Sequence, residues 1–149
     1  AHQGLQEYQV PVEYGRSEII RKGKKIAVLG VGSMIPSCME ICKGLKDDGY
    51  DPTFVNARFV KPLDVDLLDE LAKDHSLFVT VEENVKSGGY GEHVSAYMEA
   101  CHPEIRVLSA AVWDRFVPQG NVESLRSRIG LGVEDIRQAI EDSEELREQ

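Results

Sequence analysis

The sequence predicts a three-layer α/β/α domain, with about five strands in a mostly parallel sheet, one antiparallel edge strand, and helices on both faces. Three observations lead there. Short apolar runs at Ile26–Leu29, Phe54-Val55, Leu77–Val81 and Ile105–Ala110 end abruptly in glycine-rich or charged sequence. Segments of helical spacing, about ten to fifteen residues long, separate them. A chain of 149 residues, 42% apolar and 29% charged, has the length and composition for one soluble core.

Ala1–Gly15 has neither helical nor strand periodicity and carries Pro11 with two glycines, which is linker composition. Ser17–Arg21 reads as a short strand. The Lys22-Gly23 turn into Lys25–Gly30 then predicts a hairpin, with the first strand antiparallel at a sheet edge. After Gly30-Val31-Gly32-Ser33, the spacing of Cys38, Ile41, Cys42 and Leu45 predicts a helix, with Pro36 tolerated in its first turn and Gly49 beyond its end. Asp51–Ala57 supplies the next strand. Pro62-Leu63-Asp64 opens a helix whose Val65, Leu68, Leu71 and Ala72 share a face. Asp64 is its expected N-cap, and Asp66 lies near the positive end of its dipole.

Leu77–Val81 is the third parallel-type strand. Gly88–Gly91 lead into a helix at Glu92–Ala100, with Val94, Tyr97 and Met98 inward, and His102-Pro103 end it. Ile105–Ala110 is the last strand. A loop with Trp113-Asp114-Arg115-Phe116 precedes helices near Asn121–Arg128 and Val133–Glu144. In the second of these Val133, Ile136 and Ile140 form the buried face, and the charge run from Glu141 reads as a solvated helix end. Right-handed crossovers constrain the topology.

The net charge of −9 and pI near 4.9 argue against nucleic acid or an anionic membrane as partner, because phosphate binding needs a basic surface. No apolar run approaches the ~20 residues of a membrane span, and no signal peptide is visible. Cys38, Cys42 and Cys101 form no CxxC pair. The first two read as buried thiols acting as small hydrophobes, consistent with a reducing, cytoplasmic location. No zinc set accompanies them. The chain begins at Ala1 with a polar segment, as expected of a piece of something longer.

Chemistry-bearing residues gather at the carboxyl ends of the strands, where ligands and partners meet α/β sheets: Arg58 and Lys61, Glu82 and Glu83, and Ser87–Gly91. Gly30-Val31-Gly32 starts like a dinucleotide fingerprint. Ile35 stands where its third glycine belongs, however, and the second strand ends in Asn56-Ala57-Arg58 instead of an acid. Glu82 and Glu83 point to opposite faces unless the strand ends between them, so one acid bonded to loop amides or paired with Arg58 is favoured over an acid/base pair. Ser87–Gly91 could hold an anion on free amides, but it lacks the Lys-Ser/Thr of a phosphate loop, so a tight turn is favoured. His2, His75, His93 and His102 are scattered; His75 and His102 are expected to meet helix-end carbonyls. No GxSxG elbow occurs. Asp114 and Arg115 read as a loop ion pair. Phe59, Tyr90, Trp113 and Phe116 read as an apolar patch facing a partner domain or subunit. The residues alone supply a sheet edge without a complete active site.

The string Asn56-Ala57-Arg58-Phe59-Val60-Lys61-Pro62-Leu63-Asp64 resembles the C-terminal domain of the 1-deoxy-D-xylulose-5-phosphate synthase family, in the transketolase superfamily. Thr80-Val81-Glu82-Glu83-Asn84, Gly88-Gly89-Tyr90-Gly91 and Asp114-Arg115-Phe116-Val117-Pro118-Gln119-Gly120 follow in that family's order, so the likeness covers essentially the whole chain. Transketolase itself and 2-oxoacid dehydrogenase β subunits share the acidic strand end and glycine loop but fit the Ala57–Asp64 run less well.

The resemblance implies residues 1–15 as a linker from a missing preceding domain and residues 16–149 as the transketolase C-terminal-like domain. It implies a cytoplasmic, dimeric transferase that joins pyruvate to glyceraldehyde 3-phosphate for isoprenoid, thiamine and pyridoxal synthesis. Thiamine diphosphate and magnesium would be bound by the preceding domains, with no cofactor, metal or catalytic residue in this one. Its partners would be those domains and the homodimer partner, with no nucleic acid and no membrane. Arg58, Phe59, Lys61, Glu82, Glu83, Gly88, Gly89, Tyr90, Asp114 and Arg115 would be interface or active-site-wall residues. Where the family often has histidine before the last glycine, this chain has Gln119, which hydrogen-bonds but does not shuttle a proton. Two further classes stay open: a stand-alone interaction module docking through the Arg58–Lys61 and Tyr90–Trp113 edge, and a small nucleotide- or anion-binding protein.

Overall fold

The computed structural model describes residues 15–58, 62–83, 89–112 and 132–148. Its strands are β1 (Glu18–Arg21), β2 (Lys25–Gly30), β3 (Thr53–Asn56), β4 (His75–Glu83) and β5 (Arg106–Val112). Its helices are α1 (Ile35–Asp47), α2 (Val65–Ala72), α3 (Tyr90–Cys101) and α4 (Val133–Glu148), and a 3₁₀ turn at Gly32–Met34 leads into α1. The strands form one sheet in the order β1-β3-β2-β4-β5. β1 is antiparallel to β3, and every other pairing is parallel.

Successive strand residues point to opposite faces, and here each face meets helices. Ile26 and Val28 of β2, with Leu77, Val79 and Val81 of β4, pack on Cys38, Ile41, Cys42 and Leu45 of α1 and on Ile136 and Ile140 of α4. Ala27 and Leu29 of β2, with Phe78 of β4 and Val55 of β3, pack on Leu68 and Leu71 of α2 and on Tyr90, Val94 and Met98 of α3. The expected three layers and mostly parallel sheet are therefore present. Asp64 caps α2 as expected, accepting from the Leu67 amide at 3.2 Å. Pro36 sits in the first turn of α1, where its missing N–H is no loss.

The expected hairpin is absent. β1 is the antiparallel edge, but β3 lies between it and β2. The link from Arg21 to Lys25 can reach ~13 Å, enough to step across two strand spacings of ~4.8 Å each. It crosses beneath the start of β3, where the Gly23 amide donates to Thr53 Oγ1 at 2.8 Å and the Lys24 amide to Asp51 O at 2.8 Å. A Cβ on Gly23 would lie 2.2 Å from Asp51 O, so this glycine serves close backbone passage instead of a tight turn.

Two further expectations change. His102 meets the Asp69 carboxylate at 2.7 Å instead of a helix carbonyl. His75, which opens β4, does keep a carbonyl partner, Leu71 O at 2.8 Å, and its other nitrogen meets Thr53 Oγ1 at 2.7 Å. The charge run of α4 is not wholly solvated: Glu144 is 3% exposed and accepts from Arg106 of β5 at 3.0 Å. The expected helix near Asn121–Arg128 lies outside the described residues.

Truncating Ile140 to Ala should remove apolar contact between α4 and the sheet that relaxation cannot refill. The expected cost is about 2–4 kcal/mol, read as a lower urea midpoint with an unchanged slope.

Candidate functional site

In open α/β sheets the ligand crevice lies outside the strand carboxyl ends, where connections leave towards opposite faces. Here it lies between β2, which leads to α1 on one face, and β4, which leads to α3 on the other. Two hydrogen bonds span it. The Val31 amide donates to Val81 O at 3.2 Å, and Ser33 Oγ donates to Glu83 Oε1 at 2.5 Å.

Glu82 faces the other way, as the pleat requires. Its Oε1 accepts from the Tyr90 amide at 2.9 Å and its Oε2 from the Gly91 amide at 2.8 Å. These are among the first amides of α3, which have no partner within the helix and carry the positive end of its dipole. Gly89 is the N-cap residue and offers no side-chain acceptor, so the acid of the neighbouring strand takes that place. At the described end of the glycine segment the Tyr90 and Gly91 amides hold an anion where the sequence favours a plain tight turn, and that anion belongs to the chain itself. Gly91 permits the approach: a Cβ there would lie 2.7 Å from both Glu82 Oε2 and Thr80 Oγ1. Beneath it the Thr80 hydroxyl is buried and finds no hydrogen-bond partner among the described residues. Burial pushes the Tyr90 phenol well above its ordinary range.

Arg58 adopts a left-handed backbone, φ 63°, with its amide donating to Asn56 Oδ1 at 3.0 Å. Its guanidinium donates to Glu18 Oε1 of β1 at 2.8 Å, so its partner is Glu18 and neither Glu82 nor Glu83. Phe59, Lys61, Gly88, Asp114 and Arg115 lie outside the described residues, as do Trp113, Phe116 and Gln119. The structure adds contacts that no local pattern announces. Arg16 Nη1 reaches Asp64 at 3.3 Å and Asp66 at 3.0 Å, and the Ser17 amide donates to Asp64 Oδ2 at 2.8 Å. Away from the rim, the Tyr97 hydroxyl donates to Asp69 at 2.7 Å beside His102, tying α3 to α2. The hydrogen bond from His102, followed by that from Tyr97, holds the Asp69 carboxyl below its usual range.

Glu82, Glu83 and Arg58 are each engaged within the chain, so among the described rim residues no acid, base and nucleophile converge on one point. Burial pushes the Cys38 and Cys42 thiols up to about 12, which keeps them protonated and inert. The residues described do not fit thiamine diphosphate with magnesium. The amides best placed for a phosphate are capped by Glu82, and no group of three or more His, Cys, Asp or Glu among the described residues is arranged for a metal. No described helix is long and apolar enough to cross a membrane.

Residues 15–136 match the family described as transketolase, C-terminal domain. The chain belongs to that family. Similar curated proteins include the 1-deoxy-D-xylulose-5-phosphate synthases of Lachnoclostridium phytofermentans and Dictyoglomus thermophilum, each 39% identical over 137 residues. The matches cover 91% and 92% of this chain, but this transketolase C-terminal domain spans only 22% of either relative's length. Among solved structures, a split gene transketolase in an inactive β4 tetramer aligns with TM-score 0.72 and 28% identity, over 89% of this chain and 43% of that one.

Glu82→Ala should leave the Tyr90 and Gly91 amides without their acceptor and cost about 1–3 kcal/mol, measured by urea unfolding. Alkylation with iodoacetamide at pH 8 should modify exposed Cys101 and spare buried Cys38 and Cys42 until denaturant is added, as read by intact mass. A depressed Asp69 stabilises the fold above the unfolded carboxylate range and loses that contribution as pH falls through its lower folded value. Thermal melts between pH 5 and about pH 2 should therefore fall less steeply for Asp69→Asn than for the parent.

Proposed function

We propose that this chain is the C-terminal domain of a 1-deoxy-D-xylulose-5-phosphate synthase, the thiamine-diphosphate-dependent transferase that condenses pyruvate with glyceraldehyde 3-phosphate for isoprenoid and thiamine synthesis in the cytoplasm. In this reading it is an assembly and wall domain. Its strand-end rim, with Arg58, Glu82, Glu83, Gly89 and Tyr90, packs against preceding domains of the same polypeptide and against the homodimer partner; the family resemblance adds Phe59, Lys61, Gly88, Asp114 and Arg115 to the interface. Those domains hold the cofactor and its magnesium, and this one performs no carboligation alone.

The observation that carries the reading is 39% identity to such synthases across nearly all of this chain while matching 22% of their length. The rim chemistry supports it. Polar groups satisfied within the chain make a pre-formed surface suited to packing, whereas catalysis needs an acid or base held near its reacting proton. Transketolase proper is the second reading, favoured by the 0.72 TM-score of the split-gene protein but at the lower identity of 28%.

The chain alone should show no calorimetric binding of thiamine diphosphate with magnesium and no pyruvate-dependent carboligation. Placed in the Lachnoclostridium phytofermentans synthase in exchange for the segment it matches, it should support turnover with glyceraldehyde 3-phosphate. Turnover by the chain alone, or a folded but inert exchange protein, would refute the assignment.

A further inference from the structure

At the amino-terminal end of the sheet, opposite the rim, a cavity of about 230 Å³ is lined by Lys24, Lys25, Ile26, Tyr50, Asp51 and Glu144, among others. Both of its carboxylates are already paired: Asp51 with Arg21 at 2.7 Å and Glu144 with Arg106 at 3.0 Å. Lys24 and Lys25 have no ion-pair partner among the described residues, whereas neighbouring Lys22 pairs with Asp74 at 3.6 Å. In a chain of net charge −9, two cations without an ion-pair partner among the described residues thus line one cavity. The backbone presents them at a cost. Lys25 has φ 73°, and the Ile26 amide closes a three-residue turn on Lys24 O at 2.9 Å. That left-handed turn is strained for a residue with a Cβ, and glycine would adopt it freely.

We propose that this cavity binds the phosphate group of a small phosphomonoester. Two ammonium groups match a dianion, and lysine serves phosphate as a mobile point charge. Ile26 and Tyr50 give the wall an apolar part for a short organic body, and the volume lies below that of pockets for drug-sized ligands. The site is independent of the assembly role and lies at the other end of the strands.

The test is titration of the ¹⁵N-labelled 149-residue chain with inorganic phosphate and with phenyl phosphate, against sodium chloride at matched ionic strength. Saturable amide shifts confined to Lys24–Ile26 and Gly49–Asp51 are expected, with tighter binding of phenyl phosphate. Lys24→Gln should weaken phosphate binding about tenfold, the effect of removing one well-placed charge. Lys22→Gln should leave it unchanged. Lys25→Gly relieves the turn, so it should melt no lower than the parent and yet bind phosphate about tenfold more weakly. Absence of saturable shifts, equal shifts with chloride, shifts centred on the start of α3, or unaltered affinity in Lys24→Gln would each overturn the proposal.

Discussion

Strands β2 and β4 are buried on both faces, and the rest of the molecule follows from that constraint. Ile26 and Val28 must be covered by one layer of helices while Ala27 and Leu29, offset by one residue, must be covered by another. A sheet with such central strands cannot stand with one face in water, because each face would expose a contiguous apolar patch. The helices therefore divide, α1 and α4 to one side and α2 and α3 to the other. The connections leaving β2 and β4 diverge at their carboxyl ends as a consequence, and the switch-point crevice is a product of core burial before it is a feature of any site.

The chain's own side chains occupy the described part of that crevice. Ligand-binding members of this architecture leave helix amides and strand-end side chains open at the switch point. Here Glu82 closes the start of α3 and Ser33 bridges to Glu83. A carboxylate held by two amides and a helix dipole is a fixed element of the wall. Such pre-formed polar surfaces suit contact between domains, where side chains already ordered lose little further freedom on docking. The chain belongs to the transketolase C-terminal domain family, and the segment it matches is 22% of the length of two similar synthases.

Much of this was legible before any coordinates. The cap at Asp64, the proline in the first turn of α1, the buried Cys38 and Cys42 and the strand at Leu77–Val81 are local signals, and local signals survive folding when nothing opposes them. The failures share a cause. The hairpin expected at Lys22-Gly23 required knowing that β3 would arrive between β1 and β2. The solvated reading of α4 required knowing that Arg106 would stand opposite Glu144.

The chain by itself determined which segments are strands and helices, which side of each is apolar, and where charge and glycine collect, because those properties depend on period and composition within a dozen residues. Tertiary structure alone decided partners: Glu18 for Arg58, the Tyr90 and Gly91 amides for Glu82, Asp69 for His102. A hydrogen bond is chosen by distance and direction in space, and residues 8 to 40 positions apart carry no mark of either until folding has brought them together.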